Sequence, residues 1–401
     1  MSTIHAVIEL GTSNTVLAIG KTQNDGRMKI ISLNTIPSSG IKKSQIVELK
    51  NVAQSILSVL KESEKKPIEN DSKLTIGNAH LVLTGTHVNV EHMSSSISVS
   101  GKVSAENINE AKLSLVNAAN SSGSDRELIH LEYLGFELDG MGGISDPLNM
   151  SGHVLKYHAV RIDADADCIE NAKTAADQAK IELNEPLFAV HASSEAILEE
   201  HEKKNGVLII DFGGGTTSYA VYMNNHLYDA GTIGVGGNHV TNDIAHAFQI
   251  SHSNAEALKI SEASALATVP SGISPRVKLP HETSIMENRT FSRSALNTVT
   301  NARLRELLTI IRNFLRYKGI LHKLHSGAVI IGGGAQMRDM PALISQVLGL
   351  NARFGIPIHI DGLEGIDHPE RYASVAGALL SVGGNIEEEK SIFELIKRIF
   401  K

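Results

Sequence analysis

Two stretches about 200 residues apart repeat one pattern, and that repeat limits the folds open to the chain. In the later copy, the apolar run 207–210 stops at Asp211. Gly213, Gly214 and Gly215 follow, then Thr216, Thr217 and a second apolar run at 219–222. A short apolar run bounded by turn residues reads as a buried strand, and two such runs around a glycine turn read as a β-hairpin. In the earlier copy, the run 6–10 carries Glu9 and meets Gly11, Thr12, Ser13 and Asn14 before a second strand reaches Gly20. A lone glycine hairpin is as readily a plain turn as a binding element. Two of them predict a duplicated α/β fold with one hairpin per half.

Glycine lets a backbone turn tightly and brings its amides close to a ligand. Such a concavity of N–H groups suits phosphate. The hydroxyls of Thr12, Ser13, Thr216 and Thr217 add donors, and Glu9 and Asp211 are placed to hold Mg²⁺ through water. A third element, 329–336, runs from a buried strand into Gly332, Gly333 and Gly334, then into a helix that begins near Gln336. Its glycines leave room for a flat group such as a nucleoside. Phosphates held between the two hairpins would sit in the cleft between the halves.

The length of 401 residues suits two lobes rather than one core. A net charge of −7 gives no sign of a general nucleic-acid binder. Cys168 is the only cysteine, so no internal disulfide framework exists and a reducing compartment fits. The N-terminus lacks the pattern of a signal peptide, and no apolar run is long enough for a transmembrane helix. The 18 histidines show no ligand spacing and read as surface or core residues.

Along the chain, 29–33 and 79–84 read as strands, 49–61 as an amphipathic helix and 62–73 as a charged linker. Residues 85–160 stand outside the duplicated core. They read as short strands at 85–90 and 97–103, a helix at 104–119 capped by Ser104, and a glycine-rich loop at 136–155. Residues 167–183 read as a helix with Asp163, Asp165 and Asp167 near its positive end. Those aspartates lack the glycine and distal glutamate of an EF-hand. Gly236 and Gly237 precede a helix, so their amides are placed to meet phosphate at its N-terminus. Glu256 and Lys259 fall on one helix face. Residues 294–315 read as a long helix; Arg303, Arg305 and Arg312 on it, with Arg316 just beyond, read as a solvated face.

Two phosphate-type hairpins and a late Gly-Gly-Gly-Ala turn resemble the actin-like ATPase superfamily, which includes actin, 70-kDa heat-shock chaperones, sugar kinases and bacterial filament proteins. Within it, the chain resembles the FtsA family of bacterial cell-division proteins. The most specific stretch is Gly143, Ile144, Asp146, Pro147, Met150, Gly152 and Leu155, followed later by the string 236–245, with Gly236, Gly237, Thr241, Asp243, Ile244 and Ala245. The resemblance covers essentially the whole chain. It implies lobe 1 at 1–84 and 161–205, an FtsA-type inserted subdomain at 85–160, lobe 2 at 206–241 and 327–382, and an upper subdomain at 242–326. A linker at 383–390 and a C-terminal helix at 391–401 follow.

The resemblance further implies ATP with Mg²⁺ as ligands, with Glu256 and Lys259 at the ribose and adenine. Its implied partners are the C-terminal tail of FtsZ, bound by the upper subdomain, further copies of the chain in a filament, and other division proteins. It places the protein on the cytoplasmic face of the inner membrane at the division site. Two residues depart from the family pattern: Glu9 replaces an aspartate and Asn14 a common lysine. Both point to slow or negligible ATP turnover. The family's water-positioning residue lies near 192–198, where the sequence offers no clear match. A pilus-assembly adaptor of the PilM type and a small-molecule kinase of the same superfamily are the alternatives; no substrate base motif supports the kinase, and no peptide-binding domain supports a chaperone.

At the C-terminus, Ile392, Leu395, Ile396, Ile399 and Phe400 make one apolar stripe flanked by Phe393, with Lys397, Arg398 and Lys401 mainly beside or opposite it. A short amphipathic helix with flanking cations suits an anionic membrane surface. Docking on the protein's own core is the other reading, and the polar linker with three glutamates favours a detached tail.

Overall fold

The computed structural model describes residues 3–65, 75–121, 125–279 and 290–384. The segment 391–401 and most of the charged stretch 62–73 lie outside them.

Two five-stranded sheets share one topology. The first orders Met28–Pro37, Asn14–Thr22, Ile4–Leu10, Asn78–Leu83 and Glu182–Phe188. The second orders His226–Ile233, Thr217–Met223, Val207–Phe212, Ala328–Ile331 and Ala352–Phe354. In each, the first three strands run antiparallel and the last two add in parallel. Antiparallel neighbours need only tight turns, whereas parallel ones need crossovers, supplied here by helices. Leu49–Glu64 is one such crossover, and it buries Val52, Ile56, Val59 and Leu60 at helical spacing. In the second half, Gly237–Phe248, His252–Glu262 and Arg293–Tyr317 lie between the third and fourth strands in sequence.

Two helices knit the halves together. Ala189–Ile197 leaves the first sheet and packs against Val207–Phe212 and Thr217–Met223 of the second. Ala373–Gly383 leaves the second half and packs against Ile4–Leu10 and Asn14–Thr22 of the first. The two helices also pack against each other.

Between Gly85 and Ile162 the chain builds a separate layer. Its four strands lie in the order Val88–Lys102, Ser151–Asp165, Arg126–Leu138 and Met141–Ile144. Helix Ala105–Asn120 covers it, capped by the Ser104 hydroxyl on the Asn107 amide, around a core that includes Leu115, Phe136 and Leu155. The two short strands expected at 85–90 and 97–103 are one long strand, and the glycine-rich stretch is a hairpin rather than a loop.

Two further expectations need correction. The helix expected over 167–183 ends at Gln178, and Glu182–Phe188 becomes an edge strand of the first sheet. Asp163 lies within a strand; Asp165 ends that strand as the residue before helix Ala166–Gln178, and Asp167 sits in the helix's first turn, as expected. Asp163 is fully buried, paired with Arg126 and, at 3.1 Å, with Arg161, while Asp165 also pairs with Arg126. A buried carboxylate without such partners would be costly, so these aspartates serve the fold.

Histidines gather where the inserted layer meets the second half. Glu132 bonds His130 at 3.2 Å and His226 at 3.1 Å. The His130 ring lies 4.5 Å from that of His191, whose Nδ1 is 2.7 Å from the Tyr222 hydroxyl. Burial, then the neighbouring His130, pushes His191 down to about 3, while the hydrogen bond to Glu132 raises His226.

Candidate functional site

The two glycine turns match atom for atom in their closing hydrogen bond. Gly11 N–H donates to the Asn14 carbonyl at 3.0 Å, and Gly213 N–H to that of Thr216, also at 3.0 Å. A Cβ on Gly11 would lie 2.8 Å from the Asn14 oxygen, and one on Gly213 would lie 2.9 Å from the Thr216 oxygen. Each turn therefore needs its glycine. Glu9 sits opposite Val16 and Asp211 opposite Ser218, so the carboxylates hold equivalent places two residues before each turn.

The turns face each other across the two halves. A Cβ on Gly214 would strike Ser13 Oγ, and one on Gly215 would strike Thr12 Oγ1. Ser44 ties the two together: its N–H donates to Thr12 Oγ1 at 2.8 Å, and its hydroxyl lies 3.2 Å from that of Thr216. They close one end of a cavity of about 770 Å³. Glu9, Gly11, Thr12, Ser13, Asn14, Asp211, Gly213, Gly214, Gly215 and Thr216 line it, with Gly237, Glu256, Lys259, Gly332, Gly333, Gly334 and Gln336.

Two expected residues are not among the lining. Thr217 is buried, and its hydroxyl donates to the Val235 carbonyl at 2.8 Å. Gly236 packs against the second turn, where a Cβ would lie 2.6 Å from the Gly213 oxygen. The amides expected to meet phosphate are also engaged: Gly236 N–H donates to His239 Nδ1 at 3.1 Å and Gly237 N–H to the Gly213 carbonyl at 2.9 Å. These bonds seat the second turn on the helix N-terminus and occupy both amides.

At the other end, Lys259 Nζ bonds Glu256 at 2.7 Å, Thr241 Oγ1 at 2.9 Å and the Gly237 carbonyl at 3.3 Å. Gly332 adopts φ 84°, and a Cβ there would lie 2.5 Å from Asp211 Oδ1. The Gln336 amide nitrogen is buried with no hydrogen-bond partner among the described residues, the mark of a site that expects a polar ligand. Sequence reading missed Ser44, Asn238, Arg338, Arg371 and Ser374. Ser44, Arg371 and Ser374 reach the cavity from other segments, whereas Asn238 and Arg338 stand one and two residues beyond the expected Gly237 and Gln336.

The acidic floor is the site's clearest electrostatic feature. Burial, then the nearby Glu9, pushes Asp211 up to about 7. Burial also raises Glu9, partly offset by the Ser374 hydroxyl that donates to it at 2.6 Å. Among the described residues no three metal-ligating side chains converge, so a cation here would draw its remaining ligands from water and a bound anion. Two neighbouring buried carboxylates with no basic partner among the described residues fit a divalent cation. The raised Asp211 contributes stability that is complete below its unfolded value near 4 and is lost as pH rises through about 7, unless a cation compensates. Cation binding must expel that proton. Calorimetry of Mg-ATP binding in buffers of different ionisation heat should show release of about half a proton at pH 7, falling toward zero by about pH 8.5. Asp211→Asn should remove the release; an unchanged signal would mean the cation sits elsewhere.

A duplicated sheet with paired glycine turns over an acidic floor defines an actin-like ATPase fold. Solved structures of that fold match along nearly the whole chain. The PilM–PilN type IV pilus biogenesis complex aligns with a TM-score of 0.65 at 15% identity, covering 95% of this chain and 98% of that one. MreB5 of Spiroplasma citri bound to ADP aligns at 0.56 and 13%, covering 96% and 98%. At these identities the likeness is one of fold. Sequence gives the family: "Cell division protein FtsA" matches residues 208–377, and "SHS2 domain inserted in FTSA" matches 85–162. The chain belongs to the FtsA family of bacterial cell-division proteins. FtsA of Escherichia coli K12 is 29% identical over 98% of this chain and 95% of its own length. FtsA of Pseudomonas aeruginosa is 28% identical over 93% and 88%.

Proposed function

We propose that this protein is an ATP-binding, filament-forming division protein that ties FtsZ polymers to the cytoplasmic membrane and brings later division proteins to the septum. The observation that carries the reading is the cavity between the matching turns, with its raised, cation-seeking carboxylates, in a chain of the FtsA family. The backbone of the two turns would hold phosphates. Glu9 and Asp211 would hold Mg²⁺ through water, Glu256 and Lys259 would meet the ribose, and Gln336 would meet the nucleoside. Bound Mg²⁺ would neutralise phosphate charge. The longer Glu9 shifts the carboxylate relative to an aspartate, and turnover is accordingly expected to be slow. A Mg-dependent rate of several per second would contradict this.

The lobe and subdomain boundaries given above are part of the proposal. So is the placing of the FtsZ tail on the upper subdomain. Two of the arginines read as a solvated face are engaged: Arg303 pairs with Asp243 at 2.7 Å and Arg305 donates to Gln346 Oε1 at 2.9 Å. The segment 391–401, with its apolar stripe and flanking cations, would lie on lipid. One such short helix binds weakly, and a filament multiplies it through avidity.

The test is electron microscopy on an anionic lipid monolayer with Mg-ATP, comparing the full chain with a form ending at Glu389. Lipid-bound filaments are expected from the full chain only. Equal binding by both forms would assign the last segment to a docked helix. Absence of filaments and lipid binding from both would point to a soluble adaptor.

A further inference from the structure

Ser44 and Thr84 line the nucleotide cavity, and they also line a second, smaller one of about 240 Å³. Its walls are mixed: Leu10, Leu81 and Leu83 stand beside Gln45 and Asn171. Of these side chains, His87 alone has buried polar atoms without a partner among the described residues. His87 is only 5% exposed, yet neither of its ring nitrogens has a hydrogen-bond partner among the described residues. Burial lowers its basicity; Asp165 opposes this and Arg126 reinforces it. The ring is therefore neutral near pH 7, with one nitrogen donating and the other accepting.

The ring is also held firmly in place. The His87 carbonyl accepts from Arg126 Nη2 at 3.1 Å and from the Asp165 amide at 3.2 Å. Gly85, at φ 138°, lets the ring lie against the main chain, since a Cβ there would be 2.6 Å from His87 Cε1. Buried polar groups that no protein atom reaches are satisfied by internal water, and this cavity has room for more than one.

The partition between the two cavities is made of hydroxyls. Ser44 Oγ lies 3.2 Å from Thr216 Oγ1, and Thr84 Oγ1 lies 3.5 Å from Ser218 Oγ. Both pairs bridge the two halves of the molecule, so a small shift of one half against the other would part them. No residue of Ala189–Ile197, the helix nearest the expected water-positioning residue, lines the nucleotide cavity.

We propose that the smaller cavity is a hydrated annex of the nucleotide site and that His87 is the positioning residue for water within it. The ligand class is ordered water, bound through one donor and one acceptor of a neutral imidazole. Its presence does not depend on the nucleotide reading; only its delivery to the phosphate end does.

The test uses the full chain. High-resolution crystals with and without Mg-AMPPNP should show water within hydrogen-bond distance of both His87 nitrogens. His87→Gln keeps a donor and an acceptor, whereas His87→Leu keeps neither. The leucine variant should lose the ordered water and hydrolyse ATP about ten times more slowly at unchanged ATP affinity. The glutamine variant should retain much of both. A dry annex, or protein groups closing on both ring nitrogens, overturns the proposal. So does a leucine variant that turns over like the wild type. If calorimetry finds no Mg-ATP binding to the wild type, the nucleotide reading fails, and water density at His87 still decides the annex.

Discussion

Gly333→Asp is expected to leave folding intact and to lower Mg-ATP affinity by roughly 100-fold or more. No atom lies within 4 Å of a Cβ built on Gly333, so the new side chain meets nothing in the protein. It projects instead into the cavity that Gly333 lines. There a fixed carboxylate opposes an anionic ligand, and a repulsion of about 3 kcal/mol in a partly desolvated site corresponds to the stated loss. The obstacle is charge and occupied space, not a clash within the chain. Neighbouring glycines differ. A Cβ on Gly334 would run into the Phe212 ring, and one on Gly236 would lie 2.6 Å from the Gly213 oxygen and 2.7 Å from the Gly214 oxygen. Substitution at either confuses folding with binding, which Gly333 does not. Calorimetry with Mg-ATP and a thermal melt without ligand separate the two effects. Undiminished affinity in a well-folded variant would remove the nucleotide from this turn.

The duplicated core was legible because its signals are local. An apolar run, a carboxylate and glycine before a second run repeat at both sites, and the register puts Glu9 and Asp211 in equivalent places. Where a strand begins or ends decides two further placements. Thr216 belongs to the turn and lines the cavity, whereas Thr217 opens the strand and turns its hydroxyl onto the Val235 carbonyl. Asp163 and Asp165 share one strand face and meet Arg126 together, so only Asp167 enters the helix that Asp165 precedes. The stretch 179–183 carries helix formers, yet Glu182–Phe188, which includes Pro186, pairs with Asn78–Leu83 as a strand, a tertiary override of local propensity at its start. Ser44 and Ser374 were out of reach for another reason. Each acts across a long stretch of chain, on Thr12 and on Glu9, and nothing near either residue announces it.

Gly377→Ala should destabilise the protein by roughly 2 kcal/mol, and Gly377→Val should prevent folding. Helix propensity alone argues the opposite, since replacing a mid-helix glycine by alanine gains about 1 kcal/mol. Packing decides the sign. A Cβ on Gly377 would collide with the Ala192 carbonyl oxygen and lie 2.9 Å from the Ser193 Cα. Those are backbone atoms of Ala189–Ile197, which cannot swing aside as a side chain would. Overpacking of this kind costs about 3 kcal/mol, enough to outweigh the propensity gain. The surroundings offer no slack: Ser193, Ala376, Ala378 and Leu379 are fully buried. The crossing also does more than fill a core. Each of the two helices leaves one half of the molecule and packs on the sheet of the other, so their separation sets the distance between the glycine turns. Gly377→Ala should therefore weaken Mg-ATP binding as well as lower the melting temperature, although the residue touches no ligand. An alanine variant that melts higher than the wild type would show that the helices part freely. The spacing of the two halves would then be set by the turns and their ligand rather than by this crossing.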